Sequence, residues 1–191
     1  GESFAKWMDS EGKVVLKNDI DMSSVTSWTP IGAGVYTWAS NKLTCNSGTP
    51  FTGYFDGKGK TIKNFKAVCT NSTFGGVYGL FGCLGEGAVV ENIVFDSTCS
   101  MELKSTKGTD CGMLAGLAWD ATIRNITNKG TMKYTGKSDS KKTNIAVVGM
   151  AFAETQDVLI ENVVNEGDLT AVSGGTNQNG GNAVHVAGIL G

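Results

Sequence analysis

The sequence predicts an all-β fold: a right-handed parallel β-helix with three short strands per coil and a short N-terminal capping helix. Three observations carry that expectation. Of 191 residues, 27 are glycine and only 2 are proline. Glycine at that frequency without a Gly-X-Y period excludes collagen and points to many tight turns between short strands. A four-residue motif then recurs, as Gly79-Leu-Phe-Gly82, Gly112-Met-Leu-Ala115, Gly149-Met-Ala-Phe152 and Gly188-Ile-Leu-Gly191. Thirteen positions after each of its first three copies stands an Asn followed by a β-branched residue: Asn92-Ile-Val94, Asn125-Ile-Thr127 and Asn162-Val-Val164. A constant offset held across three copies is the signature of a repeat architecture.

The elements follow in chain order. Residues 3–8 place Phe4, Trp7 and Met8 at helical spacing behind Ser3 as N-cap, so 1–13 is read as a helix covering the open end of the stack. Residues 14–191 then form one domain with an incomplete last coil. Val14 to Met22 alternates apolar and polar residues as a strand does. Phe51 to Phe65 reads as a hairpin-like rung turning at Asp56-Gly57. From Gly79 onward each repeat offers a Gly-Leu-Phe-Gly-like strand, an Asn-containing strand (89–94, 122–127, 158–164) and a third around Cys99, Met132 and Leu169. Strands this short bury no face alone, so the repeats must stack.

Stacking in register predicts a ladder of Asn92, Asn125 and Asn162 inside a turn, with Asn64 as an earlier echo and each amide satisfying turn backbone. It also predicts a column of Gly79, Gly112, Gly149 and Gly188, a neighbouring column of Leu80, Met113, Met150 and Ile189, and another of Ile93, Ile126 and Val163. The period lengthens along the chain, and the extra residues fall after the third strand, at 102–110, 135–144 and 172–182. Insertions at one repeat position project from one side, the expected binding side. Tyr36 and Trp38, in the long insertion between Ile31 and Phe51, are the candidate ligand-stacking aromatics. The last coil begins with Val184, Val186, Ile189 and Leu190 and lacks its second and third strands. Unpaired backbone there predicts either that the natural chain continues beyond Gly191 or that copies associate end to end through the C-terminal coil.

Little chemistry is spelled out. Net charge is −2, pI is about 5.4 and Arg124 is the single arginine, which argues against a nucleic-acid partner. No apolar run is long enough for membrane insertion. Five cysteines without a C-x-x-C pair, beside one histidine, make a zinc site unlikely to assemble, and no metal or cofactor is expected. Thr135-Gly-Lys-Ser138 lacks the upstream glycine of a phosphate loop. Ser138 and Lys141 have β-lactamase-like spacing without the partner motifs. Asn125-Ile-Thr127 spells a glycosylation sequon, but the ladder would bury Asn125. His185 alternates with two valines and should face solvent, with no orienting acid nearby in sequence. The aspartates share no repeat position and read as turn caps rather than a lyase cluster. No catalytic residue is assigned.

Leu16-Lys-Asn-Asp-Ile-Asp-Met22, Trp28-Thr-Pro-Ile-Gly32, Phe51-Thr-Gly-Tyr-Phe-Asp-Gly-Lys-Gly-Lys-Thr-Ile-Lys-Asn64 and Gly79-Leu-Phe-Gly82 resemble the GLUG-type repeats of bacterial surface β-helix proteins, abundant in gut Bacteroidetes. The resemblance covers residues 14–191. It implies an extracellular or cell-surface, adhesin-like module without chemistry of its own, whose partner would be a host glycan or an extracellular protein. The alternatives are a polysaccharide-active enzyme (lyase or hydrolase), which needs clustered acids and a base, and a structural spacer in a longer stalk, which needs no ligand.

Overall fold

The computed structural model describes residues 12–39, 42–69, 76–104, 109–135, 143–172 and 184–191; the helix expected at residues 3–8 lies outside them. Among the described residues the architecture is all-β, built on three parallel sheets. The first sheet runs β1 (Lys13–Val15), β5 (Tyr54–Lys63), β9 (Val89–Phe95), β12 (Thr122–Asn128) and β15 (Leu159–Asn165), with β2 (Ile20–Asp21) also on β5. The second runs β6 (Lys66–Cys69), β10 (Ser100–Leu103), β13 (Thr131–Tyr134) and β16 (Leu169–Ala171). In the third, β7 (Val77–Tyr78) and β8 (Phe81–Leu84) both pair with β11 (Asp110–Trp119), followed by β14 (Thr143–Phe152) and β17 (Val184–Val186). Among the described residues only β3 (Gly34–Ala39) and β4 (Lys42–Gly48) pair antiparallel, as a hairpin. Each full repeat thus gives the three sheets one strand apiece in the same order, and the parallel pairing expected between repeats is present.

Inward residues stack in columns along this axis. Val14, Phe55, Val90, Ile123 and Ile160 are consecutive register partners in the first sheet, as are Ile93, Ile126 and Val163. Ala67, Met101, Met132 and Leu169 do the same in the second sheet. Ile93, Ile126 and Met132 are fully buried. Trp28 packs edge-on against Phe65, with centroids 6.0 Å apart, and its indole N–H donates to the Gly79 carbonyl at 3.0 Å. Cys69 and Cys111 form a disulfide joining the end of β6 to β11.

The repeated asparagines have a backbone reason. Asn92, Asn125 and Asn162 have φ of 61°, 56° and 50°, the left-handed region that asparagine tolerates better than most residues. A left-handed residue breaks strict alternation. Val90 therefore points inward, Glu91 and Asn92 do not, and Ile93 points inward again. This bend is the corner that lets a short strand follow the core.

Several expectations are corrected. The Asn ladder lies on the outside of the bend, not inside a turn: Asn125 and Asn162 are exposed. Asn64 does not join it; the bulge of β5 after Asp56 shifts the register, so Asp56 takes the first rung and Asn64 donates to Asp21 instead, at 2.9 Å. Asp56-Gly57 is accordingly no hairpin turn but part of one bulged parallel strand. The alternating segment from Val14 to Met22 is two strands, β1 and β2, both on β5.

The glycine column is also different. Gly79 stands beside Gly112, but Gly112 pairs with Ala146 rather than Gly149, and one extra residue between Gly112 and Ala115 then sets Gly116 opposite Gly149. The stack consists of Gly32, Gly82, Gly116, Gly149 and Gly191, placed by the flanking pairs Ile31–Phe81, Ala115–Phe81, Ala115–Val148 and Val148–Leu190. Gly188 lies outside that column. The expected apolar column is broken up as well: Met150 pairs with Leu117, which pairs in turn with Cys83, and not with Met113. At the far end of the sheets, Leu159, Val164, Ile189 and Leu190 are exposed.

Candidate functional site

Four connections run from the second sheet to the third. Their ends are fixed by register: β10 pairs in step with β6 and β13, and β11 with β7 and β14. Residues 70–76, 104–109, 135–142 and 172–183 therefore leave from one stacked edge and return to another. Much of each connection lies outside the described residues, but its entry and exit do not.

The return edge carries an ordered polar line. Asp110, Asn144 and His185 are neighbours on consecutive strands β11, β14 and β17. Asn144 Nδ2 donates to Asp110 Oδ1 at 2.5 Å, and His185 Nδ1 lies 2.8 Å from Asn144 Oδ1. With Asn144 oriented this way, His185 Nδ1 donates to Asn144 Oδ1. His185 is exposed, while burial pushes the Asp110 carboxyl up to about 6 against the opposing effect of the Asn144 bond. The alignment had a sequence signal. All three residues stand one position before an apolar residue of the first strand of their repeat (Cys111, Ile145, Val186), although no two are the same residue type.

A carboxyl with a raised folded pKa binds its proton more tightly folded than unfolded, so its contribution favours the folded state as pH falls from about 6 toward 3.8. Replacing Asp110 by Asn keeps an acceptor for Asn144 and removes the titration. Asp110→Asn is expected to exceed wild type by on the order of 2 kcal/mol at pH 7.5 and to match it at pH 4. Urea unfolding at both pH values checks this; equal differences at the two would refute it.

Four other aspartates bind turn backbone. Asp21, Asp56 and Asp96 each accept a backbone N–H from two residues on, at 2.8–2.9 Å. Asp120, almost fully buried and itself at φ 50°, accepts from Glu154 N at 2.6 Å and Thr155 N at 2.8 Å. Those bonds hold its carboxyl below the usual range despite burial. Arg124 is paired with Glu91 at 2.7 Å, and Glu91 also accepts from the Tyr54 hydroxyl. Among the described residues no group of three acidic, histidine or cysteine side chains is placed to hold a metal.

The two aromatics expected to stack on a ligand are placed differently. Tyr36 is turned into an apolar cluster between the β3–β4 hairpin and the outer face of the third sheet, with Leu43, Val77, Cys83 and Leu117. Its hydroxyl donates to the Gly32 carbonyl at 3.0 Å, and burial pushes its pKa well above the usual phenol value. It holds the hairpin down. Trp38 pairs with Leu43 across the hairpin through its backbone; its side chain lies outside the described residues. The Asn ladder is self-satisfied: Asn162 Nδ2 donates to Asn125 at 3.1 Å, Asn125 Nδ2 to Asn92 at 3.0 Å, and Asn92 Nδ2 to Asp56 at 2.9 Å. The sequon at Asn125 is thus exposed, but its amide nitrogen is engaged.

A second asparagine pair was not foreseen. Asn128 is fully buried, one rung above the Phe95 position, and it bonds Gly130 through both its amide nitrogen and its oxygen, each at 3.0 Å. Its amide also donates to Asn165 Oδ1 at 2.7 Å. Asn165 repeats the pattern by donating to Gly167 O at 3.1 Å. The signal was Asn-x-x-Asn-x-Gly, present at 125–130 and 162–167.

No protein-family model matches the chain, and no solved structure matches it. It is similar to Halomucin of Haloquadratum walsbyi, 33% identical over 119 residues that make up 61% of this chain. The chain corresponds to about 1% of that protein's length.

Proposed function

We propose that the chain is a right-handed parallel β-helix of GLUG-like repeats serving as a non-catalytic, extracellular or cell-surface binding module. The observation that carries this reading is that the connections 70–76, 104–109, 135–142 and 172–183 each start from the end of a second-sheet strand and finish at the start of a third-sheet strand, where the Asp110–Asn144–His185 line stands. These segments are rich in Ser, Thr, Gly, Asn and Lys, side chains that hydrogen-bond sugar hydroxyls or protein backbone. The Cys69–Cys111 disulfide suits an oxidising compartment, and the likeness to a protein named as a mucin points the same way.

The test is a glycan and extracellular-protein binding screen with the whole chain. It is repeated with a variant whose 104–109 and 135–142 connections are shortened to glycine-serine links, with polysaccharide turnover followed in parallel. A ligand bound by the parent and lost by the variant, with an unchanged melting temperature and no turnover, is the expected result. Equal binding by both refutes the loop corner. Turnover instead supports a lyase or hydrolase, and absence of any ligand supports a spacer.

A further inference from the structure

On the reading of the return edge as a binding site, we infer that Asp110 and Asn144 are positioning residues for His185. They hold its imidazole so that Nε2 is offered as an acceptor to a hydroxyl of a neutral sugar. Asp110, Asn144 and His185 stand side by side on β11, β14 and β17, joined by side-chain bonds of 2.5 and 2.8 Å. Asn144 is only 8% exposed while His185 is exposed, so the line runs from the packed sheet out to water.

The fold does not require polar side chains at this position. The register partner of Asp110 on the preceding strand, β7, is the buried Val77, so the same place is filled there by an apolar residue. For the same reason no second charge faces Asp110 from β7, and on the other side it meets the uncharged Asn144. A carboxyl and a carboxamide withdrawn from water destabilise the fold unless their hydrogen bonds are made. Burial pushes Asp110 up to about 6 even with its bond to Asn144 in place. What that bond supplies is direction.

An ionised carboxylate only accepts, so Asn144 must turn Nδ2 toward Asp110 and Oδ1 toward His185. An oxygen facing the ring calls for a hydrogen on Nδ1. In the neutral imidazole Nε2 then carries none, the reverse of the tautomer that a free histidine side chain prefers in water. Nε2 has no partner among the described residues. A bare ring nitrogen cannot donate to carboxylate or sulfate oxygens and selects a group that brings its own hydrogen. Sugar hydroxyls are such groups and rotate freely, whereas the backbone N–H groups of a folded protein partner are nearly all paired already.

The whole chain, labelled with 15N, is followed by NMR at pH 8, where its single histidine gives an unambiguous side-chain signal. The expected result is a hydrogen on Nδ1 and none on Nε2, with a shift toward the Nε2–H form in Asp110→Leu and in Asn144→Leu. Neutral gluco-, galacto- and manno-oligosaccharides are then titrated in. At least one should displace the Nε2 resonance, and its affinity should fall about tenfold, the value of one hydrogen bond, in His185→Phe at an unchanged melting temperature. If the two leucine variants do not fold, the wild-type tautomer and His185→Phe decide the matter. An Nε2–H form in the wild type, a tautomer unmoved in both leucine variants, or an affinity unchanged in His185→Phe would each overturn the inference. So would a panel in which no neutral sugar displaces the Nε2 resonance, or in which sulfated oligosaccharides bind instead. The binding edge itself falls separately, when shortening 104–109 and 135–142 leaves the binding found in the screen unchanged.

Discussion

Asn128→Ala is expected to lower the free energy of unfolding by about 3 kcal/mol, whereas Asn125→Ala, one strand bend earlier, should cost about 0.5–1 kcal/mol. The two residues are separated by Ile126 and Thr127 and belong to the same repeat, yet their surroundings differ completely. Asn128 is fully buried and serves the Gly130 N–H, the Gly130 carbonyl and the Asn165 carboxamide at once. Truncation strands those buried groups away from water, and the penalty is the desolvation cost of each group left unmade. Asn125 bonds its neighbours above and below on an exposed face, where water replaces them. Its residual cost comes from placing alanine at φ 56°, which asparagine tolerates and alanine does not. Asn125→Gly removes that strain and should recover most of the loss. For a domain of this size the Asn128 change corresponds to a fall in melting temperature of roughly 6–12 °C, measurable by calorimetry. Equal costs at the two positions would mean that the inner pair is hydrated.

That contrast also shows what was legible beforehand. The repeat, the all-β class and the parallel partnership of Ile93, Ile126 and Val163 are written in spacing, because β-strand stacking repeats the same inward position in every copy. The role of the recurrent asparagine was half legible. Its recurrence announced a structural position, but a side chain that satisfies a buried turn and one that tolerates a left-handed backbone look the same in sequence. Which it is depends on whether the residue sits on the convex or the concave side of the bend. Asn128 and Asn165 are the concave pair, and Phe95 at the same position in the preceding repeat hid them, since a mixed column of Phe and Asn does not look like a ladder. Asp110, Asn144 and His185 escaped for a similar reason: hydrogen-bonding capacity recurs there, residue identity does not. The hairpin of β3 and β4 looked like a ligand loop because its aromatics fall outside the repeat pattern. Sequence alone does not say that the outer face of the third sheet is apolar enough, through Val77, Cys83 and Leu117, to draw Tyr36 onto it.

Gly116→Ala should be among the most damaging single-methyl additions in the chain, costing about 3 kcal/mol, while Gly188→Ala should be nearly neutral. A Cβ on Gly116 would collide with the backbone of Tyr78 and Asp110, at 2.6 Å from the Asp110 carbonyl oxygen. Those atoms belong to paired strands and cannot yield without breaking the β7–β11 register. The same holds down the column, where a Cβ on Gly149 would stand 2.7 Å from the Gly116 carbonyl oxygen, and one on Gly191 would stand 2.8 Å from that of Gly149. Each glycine lets the next repeat approach, so a methyl group at one level forces two levels apart. Gly188 has only the Asn165 side chain nearby, at 3.8 Å, an ordinary contact. The pair discriminates between the two registers. A stack through Gly79, Gly112, Gly149 and Gly188 would make Gly188 sensitive and Gly116 tolerant, and the observed register, with Gly112 on Ala146, Ala115 on Val148 and Val148 on Leu190, reverses that order. Chemical denaturation of the two alanine variants reads the outcome directly, and a Gly116→Ala protein as stable as wild type would refute the register described for β11 and its neighbours.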